Sequence, residues 1–148
     1  PAPGEQATPG SLFGRRWWRD AAPGRRLVVC EGALDALACE RAGASYVAAL
    51  SGSGCVRRVD GVDQMDPRVA ARLATWARID LVTDPDRAGD RLAEMVQGAV
   101  GRYSECRRIR LPGLDACAMS VTLDGRERLW QTLSGDGTVR DVDRRAAQ

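Results

Sequence analysis

Two short acidic stretches carry side chains that can do chemistry on phosphates. Glu31-Gly32 closes the apolar run RLVVC (26–30), and Asp84-Pro85-Asp86 closes the run IDLVT (79–83). Two Asp at i and i+2 in a loop can both face one ion. Carboxylates gathered without His or Lys repel one another unless a cation neutralises them. A hard divalent cation, Mg²⁺ or Mn²⁺, is the natural partner of such oxygens. The chain contains no His, which removes Ser-His and Cys-His catalysis and His-ligated metals. Gly32 and Gly89 flank these acids and permit the close backbone approach that phosphate sites often need. A plainer reading is open as well: Asp86 caps a helix that starts at Arg87, Asp84 is a turn residue, and Glu31 belongs to a surface loop.

The elements that must position these residues follow from pattern. RLVVC reads as a buried strand. Residues 33–42 read as a helix with Leu34, Leu37 and Ala38 on one face, stopped by Gly43 as a C-cap. A second strand covers 46–50 and runs into the loop 51–54. Asp66 reads as an N-cap and Pro67 as the first residue of a helix that runs to about Trp76. A third strand covers 79–83, and the helix after it reaches Val100 with Leu92, Met95, Val96 and Val100 on one face. A fourth strand covers 107–111, closed by Pro112-Gly113, and a last helix covers 124–133. This alternation predicts an α/β fold: a mostly parallel four-stranded sheet with helices on both faces. Ligands bind beyond the C-terminal strand ends of such sheets. The acidic stretches converge there if the first and third strands are neighbours.

The bulk properties bound the answer. A length of 148 residues and a hydrophobic fraction of 44% suit one globular domain. No apolar run approaches the roughly 20 residues needed to cross a bilayer, and the start lacks a signal-peptide pattern, so no membrane partner is expected. Cysteines at 30, 39, 55, 106 and 117 form no C-x-x-C pair, which makes a zinc-ribbon reading weak; their odd number without a secretion signal suggests reduced thiols and a cytoplasmic location, and Cys30 and Cys106 read as small core residues. Net charge is +2 and all 22 basic residues are Arg, a bias that codon usage explains. Residues 1–24 read as a flexible arm in which Trp17 and Trp18, bracketed by Arg, either pack onto the domain or stack on bases. Residues 25–134 read as the domain and 135–148 as a polar tail. Arg57, Arg58, Arg87, Arg91, Arg107, Arg108 and Arg110 are either solvated and ion-paired or line a nucleic-acid path. Arg87, directly after the D-x-D, leads with Arg91 as a phosphate contact.

Five stretches together resemble one family. V-V-C-E-G-A-L-D-A-L-A (28–38), V-A-A-L-S-G-S-G (47–54) and L-V-T-D-P-D-R-A-G-D-R-L-A (81–93) are similar to the three core stretches of the Toprim domain of bacterial replicative primases and primase-helicases. L-P-G-L-D (111–115) and D-G-R-E-R-L (124–129) resemble its close, so the likeness spans about residues 25 to 133. It implies a Toprim, Rossmann-like fold. It implies Mg²⁺ (or Mn²⁺) on Asp84 and Asp86, Glu31 as general acid/base or further ligand, and Asp35 and Asp115 in the acidic cluster. The implied activity is Mg²⁺-dependent nucleotidyl transfer in DNA replication. The implied partners are DNA and nucleoside triphosphates, with a helicase or the rest of a larger primase chain. A Toprim nuclease and a non-catalytic Toprim interaction module are the alternatives. The chain departs from the family where a second close Asp pair follows the L-P-G turn: here Asp115 precedes Ala116-Cys117-Ala118. The zinc-binding module and basic subdomain of a complete primase fall outside this sequence. The expectation is therefore a piece of a larger primase or a small mobile-element relative.

Overall fold

Alternation along each strand sends successive side chains to opposite faces of a sheet, and this chain fills both faces. The computed structural model describes residues 25–50, 55–112 and 115–135. The elements are β1 (Arg26–Cys30), α1 (Ala33–Ala42), β2 (Val47–Ala49), β3 (Val56–Val59), β4 (Val62–Met65), α2 (Pro67–Leu73), β5 (Arg78–Val82), α3 (Arg87–Val100), β6 (Glu105–Ile109), α4 (Ala116–Ser120) and α5 (Leu123–Ser134). Strands β2, β1, β5 and β6 form one sheet in that order, and every pairing in it is parallel. The expected four-stranded parallel sheet is thus present, with the first and third expected strands as neighbours. The expected arm (1–24), the loop 51–54 and the tail from 136 lie outside the described residues.

Leu27 and Val29 of β1, with Ile79 and Leu81 of β5, pack against Val69 and Leu73 of α2, Trp76, and Ala93, Val96 and Val100 of α3. Val28 and Cys30, with Val82 and Ile109, pack against Ala36 and Cys39 of α1, Ala116 and Met119 of α4, and Leu129 and Leu133 of α5. The two cores lie on opposite faces of the sheet, so helices cover both. Cys30 is fully buried as expected, while Cys106 is half-buried against the first core.

Helix α1 corrects the sequence reading. Its buried residues are Ala36, Ala38 and Cys39; of the expected face only Ala38 is inside, while Leu34 and Leu37 are 66% and 39% exposed. Small side chains let α1 sit close to the sheet and to α4 and α5, so this face is chosen by size rather than by hydrophobicity. Gly43 ends α1 as expected, at φ +120°, a conformation that favours glycine.

Two elements had no place in the pattern reading. One is α4. The other is the antiparallel hairpin β3–β4, which pairs Val56 with Met65 and Val59 with Val62. Its tip is Asp60-Gly61, at φ 50° and 79°. Two positive φ angles make the mirror-image turn that matches strand twist, and Asp-Gly is a sequence that adopts it readily. Its signal, V-D-G-V at 59–62, was legible.

The sheet also buries a charge. Asp80 of β5 has no exposed surface. Arg107 reaches it with Nε at 3.1 Å and a second guanidinium nitrogen at 3.1 Å. Arg26 Nε lies 2.9 Å away and Arg78 Nε 3.4 Å. Arg26 and Arg107 also donate to the carbonyls of Leu133 and Gly135. The buried carboxylate thus joins three strands to the end of α5. Among the described residues no helix is long and apolar enough to cross a membrane.

Candidate functional site

Parallel pairing of β1 with β5 in the register Cys30↔Val82 places the residues that follow them side by side. Glu31 leaves β1 and extends Oε2 to within 3.4 Å of the backbone nitrogen of Asp84, which donates to it. The two acidic stretches therefore meet across 53 residues of sequence, as the strand order requires.

The other acids are fixed by backbone amides. Asp86 caps α3 by accepting from Gly89 N at 2.8 Å, so the plainer reading of this residue is correct as far as that oxygen goes. Asp115 caps α4 by accepting from Ala118 N at 2.6 Å. Asp35 accepts from Cys117 N at 3.0 Å, which ties α1 to α4.

Glu31 and Asp84 feel the neighbouring carboxylates. Burial pushes the Glu31 carboxyl up, and the charges of Asp84, Asp86 and Asp35 add to this, while the hydrogen bond from Asp84 opposes it. Burial likewise raises Asp84, helped by Asp35, Asp115 and Asp86. No salt bridge reaches any of the five among the described residues. In contrast, Asp63, Asp66, Asp80, Asp90 and Asp124 each pair with Arg. Protein cations therefore pair with the buried Asp66 and Asp80 and the half-buried Asp90, while among the described residues Glu31, Asp35 and Asp84, the half-buried members of this group, have no salt bridge.

That donor set fits a hard divalent cation in its chemistry: all oxygen, anionic and unpaired. Among the described residues, however, no group of three or more His, Cys, Asp or Glu side chains is already arranged to hold a metal ion. One oxygen of Asp86 is engaged at the start of α3. A carboxylate has a second oxygen, so capping and metal binding are compatible.

The raised carboxyls give a pH dependence with a definite sign. A folded-state pKa above the unfolded value means that ionisation costs stability. The cost is absent below the unfolded carboxylate pKa, about 4, and complete above the raised folded value. Without divalent metal, the melting temperature should therefore lose stability from this group as pH rises through that window. Asp84→Asn should flatten that part of the melting-temperature profile; an unaltered profile would show that the repulsion is not felt.

Arg108 of β6 supports the loop in a way that no motif announced. It donates to Thr83 Oγ1 at 3.1 Å and to the Asp84 carbonyl at 3.0 Å. It also bonds Asp90, whose carboxyl it holds below its ordinary range. Arg107, Arg57, Arg58 and Arg110 are likewise engaged, with Asp80, Asp66, Asp63 and Asp90. Arg87 and Arg91 are exposed and enter no salt bridge among the described residues.

The two glycines differ. A Cβ on Gly32 would meet only the flexible end of Asp35, at 2.8 Å. A Cβ on Gly89 would lie 2.1 Å from the Asp84 carbonyl oxygen and 3.0 Å from its nitrogen. Helix α3 can close on the acidic loop only if residue 89 lacks a side chain. Gly89→Ala raises helix propensity by about 1 kcal/mol, yet we expect net destabilisation of about 1–3 kcal/mol from overpacking. Denaturant melts check the sign; a stabilised variant would mean that the loop yields freely.

A family model described as Toprim-like matches residues 28–119, more than half of the chain. The chain belongs to the Toprim-like family. A solved structure, the Aquifex aeolicus primase with its zinc-binding and RNA polymerase domains, superposes with a TM-score of 0.58 at 19% identity. That likeness covers 85% of this chain and 30% of the primase chain, and it shows a shared fold. No curated protein sequence matches. The family match runs from β1 into α4 and so contains Glu31, Asp35, Asp84, Asp86 and Asp115.

Proposed function

We propose that residues 25–134 form the Toprim catalytic module of a DNA primase-like replication protein. The module carries out Mg²⁺-dependent nucleotidyl transfer, with DNA and nucleoside triphosphates as its partners. The observation that supports this most directly is the meeting of Glu31 with Asp84 at the ends of β1 and β5, inside a set of acids with no salt bridge to Arg among the described residues. Bound Mg²⁺ (or Mn²⁺) supplies charge neutralisation at phosphate oxygens. Asp84 and Asp86 would hold it, with Glu31 as the third carboxylate. Glu31 is also placed to accept a proton from an attacking hydroxyl. Asp35 and Asp115 deepen the negative potential, and Arg87 and Arg91 contact phosphates near the start of α3. Gly32 and Gly89 keep the backbone close to the ligand. The module works in the cytoplasm beside a helicase or the remainder of a larger primase chain.

Thermal melts with and without Mg²⁺ or Mn²⁺ test the metal. At a hundredfold excess over Kd the metal should stabilise the chain by about 2.7 kcal/mol, and Asp84→Ala or Asp86→Ala should abolish the rise. An unchanged response in the double variant would remove the site. Assays of primer synthesis and strand cleavage on the longest available form of the protein then separate the reactions. Cleavage without synthesis would assign the module to a nuclease.

A further inference from the structure

Beside the carboxylates lies an open groove of about 880 Å³ between the β3–β4 hairpin and α3. Leu50, Val56, Val62, Leu92 and Met95 give it apolar walls. Its charged lining is Glu31, Asp63, Glu94 and Arg91. Glu31 thus belongs both to this groove and to the acidic cluster.

We infer that the groove is a nucleoside subsite, taking the base of a nucleotide whose phosphates lie at the carboxylate end. This rests on the phosphoryl-transfer reading above and extends it to what holds the rest of the nucleotide. Three observations select that occupant. The volume and the mainly apolar lining with few polar groups are those of a small-molecule cleft. With Asp63 paired to Arg58, Glu31 and Glu94 still outnumber the single Arg on the walls, so a run of phosphates is repelled while an uncharged ring is not. The continuity through Glu31 means that a ligand anchored in the groove reaches the reacting centre without bridging solvent.

The chemistry of the walls suits a base in detail. Aliphatic side chains and the Met95 thioether pack on an aromatic ring, and sulfur–ring contacts are favourable. Glu94 and Asp63 can accept from the exocyclic amino group of adenine or cytosine, as carboxylates do from cytosine N4. Asp63 is also within 3.4 Å of Arg58, which holds it on the hairpin wall. Arg91 sits one turn beyond Arg87 on α3, and its guanidinium can meet the phosphate that leaves the groove. The hairpin is what makes the cleft: without β4 the α3 side of the acidic cluster would be open to water.

Isothermal titration of the 148-residue chain with ATP and with inorganic tripolyphosphate, each with Mg²⁺, separates base from phosphate. ATP should bind more tightly than tripolyphosphate by roughly tenfold or more, as expected from taking an aromatic base out of water. Val62→Asp charges the exposed hairpin wall and Ala88→Trp fills the groove from α3. Either should lower ATP affinity to the tripolyphosphate value and leave tripolyphosphate binding as it was. Asp84→Asn should weaken both ligands. Equal affinities for the two ligands in the unaltered chain would overturn the subsite while leaving the phosphate reading intact. Absence of binding by both would overturn the two together. Equal affinities with binding of an arginine-rich peptide, strengthened by Val62→Asp, would assign the groove to a basic protein segment instead.

Discussion

On the proposed function, Glu31→Gln should reduce primer synthesis by the longest available form of the protein by roughly 10²- to 10⁴-fold, the range typical of losing a general acid or base. The substitution keeps size and shape and removes the charge. Glu31 comes from a different strand end than Asp84 and Asp86, so it can face the reacting phosphate from another side. Burial raises its carboxyl, which strengthens it as a base, while a bound cation keeps it ionised at neutral pH. The amide of Asp84 fixes its position, and an uncharged glutamine oxygen can still accept that bond. Metal-dependent stabilisation should therefore survive in this variant. The check is a paired measurement of turnover and of the Mg²⁺-induced shift in melting temperature. Turnover that persists makes Glu31 structural. Loss of the metal shift as complete as in Asp84→Ala makes it a ligand first.

Asp80→Ala should be the most damaging change to the fold. The carboxylate is wholly buried and faces Arg26, Arg78 and Arg107. Removing one member of a buried ion pair costs about 3–5 kcal/mol because the remaining charge loses its partner. Each guanidinium here is between 21% and 29% exposed and can turn partly to water, which points to the lower end of that range. For a chain of this size the melting temperature should drop by roughly 10 °C. Amide exchange should report weakening at the end of α5, where Arg26 holds the Leu133 carbonyl and Arg107 the carbonyl of the C-cap Gly135. A melting temperature within 2–3 °C of the unaltered chain, roughly the effect of under 1 kcal/mol, would mean that the three Arg side chains find other partners.

Local pattern determined much of this protein by itself. The three runs 26–30, 46–50 and 79–83 are short, rich in Val, Leu, Ile and Ala, and followed by Glu-Gly, Ser-Gly and Asp-Pro, so they have few conformations open to them other than buried strands. Caps fixed helix starts in the same way: Asp66 before Pro67 needs no distant contact to begin α2, and its carboxylate accepts from Arg68 N at 2.8 Å. The positions of Glu31, Asp84 and Asp86 at strand ends followed from the same local signals. The hairpin had no place in the pattern reading, although V-D-G-V carries its local signal, since Asp-Gly favours two positive φ angles.

Tertiary structure decided which amides hold the carboxylates and which helix faces turn inward. That Asp86 caps α3 depends on where Gly89 N points, and that depends on α3 closing against Asp84, which only the absence of a side chain at residue 89 permits. Leu34 and Leu37 carry the hydrophobicity of α1, yet Ala36, Ala38 and Cys39 are inside, because the gap left by the sheet, α4 and α5 sets the size that fits. Sixteen of the 22 Arg residues lie among the described residues, and one-dimensional spacing does not distinguish Arg108, which braces the acidic loop, from Arg91, which remains exposed on the groove. Partnership between charges is settled by distances of a few ångströms between residues far apart in sequence, and the chain acquires those distances only when the sheet assembles.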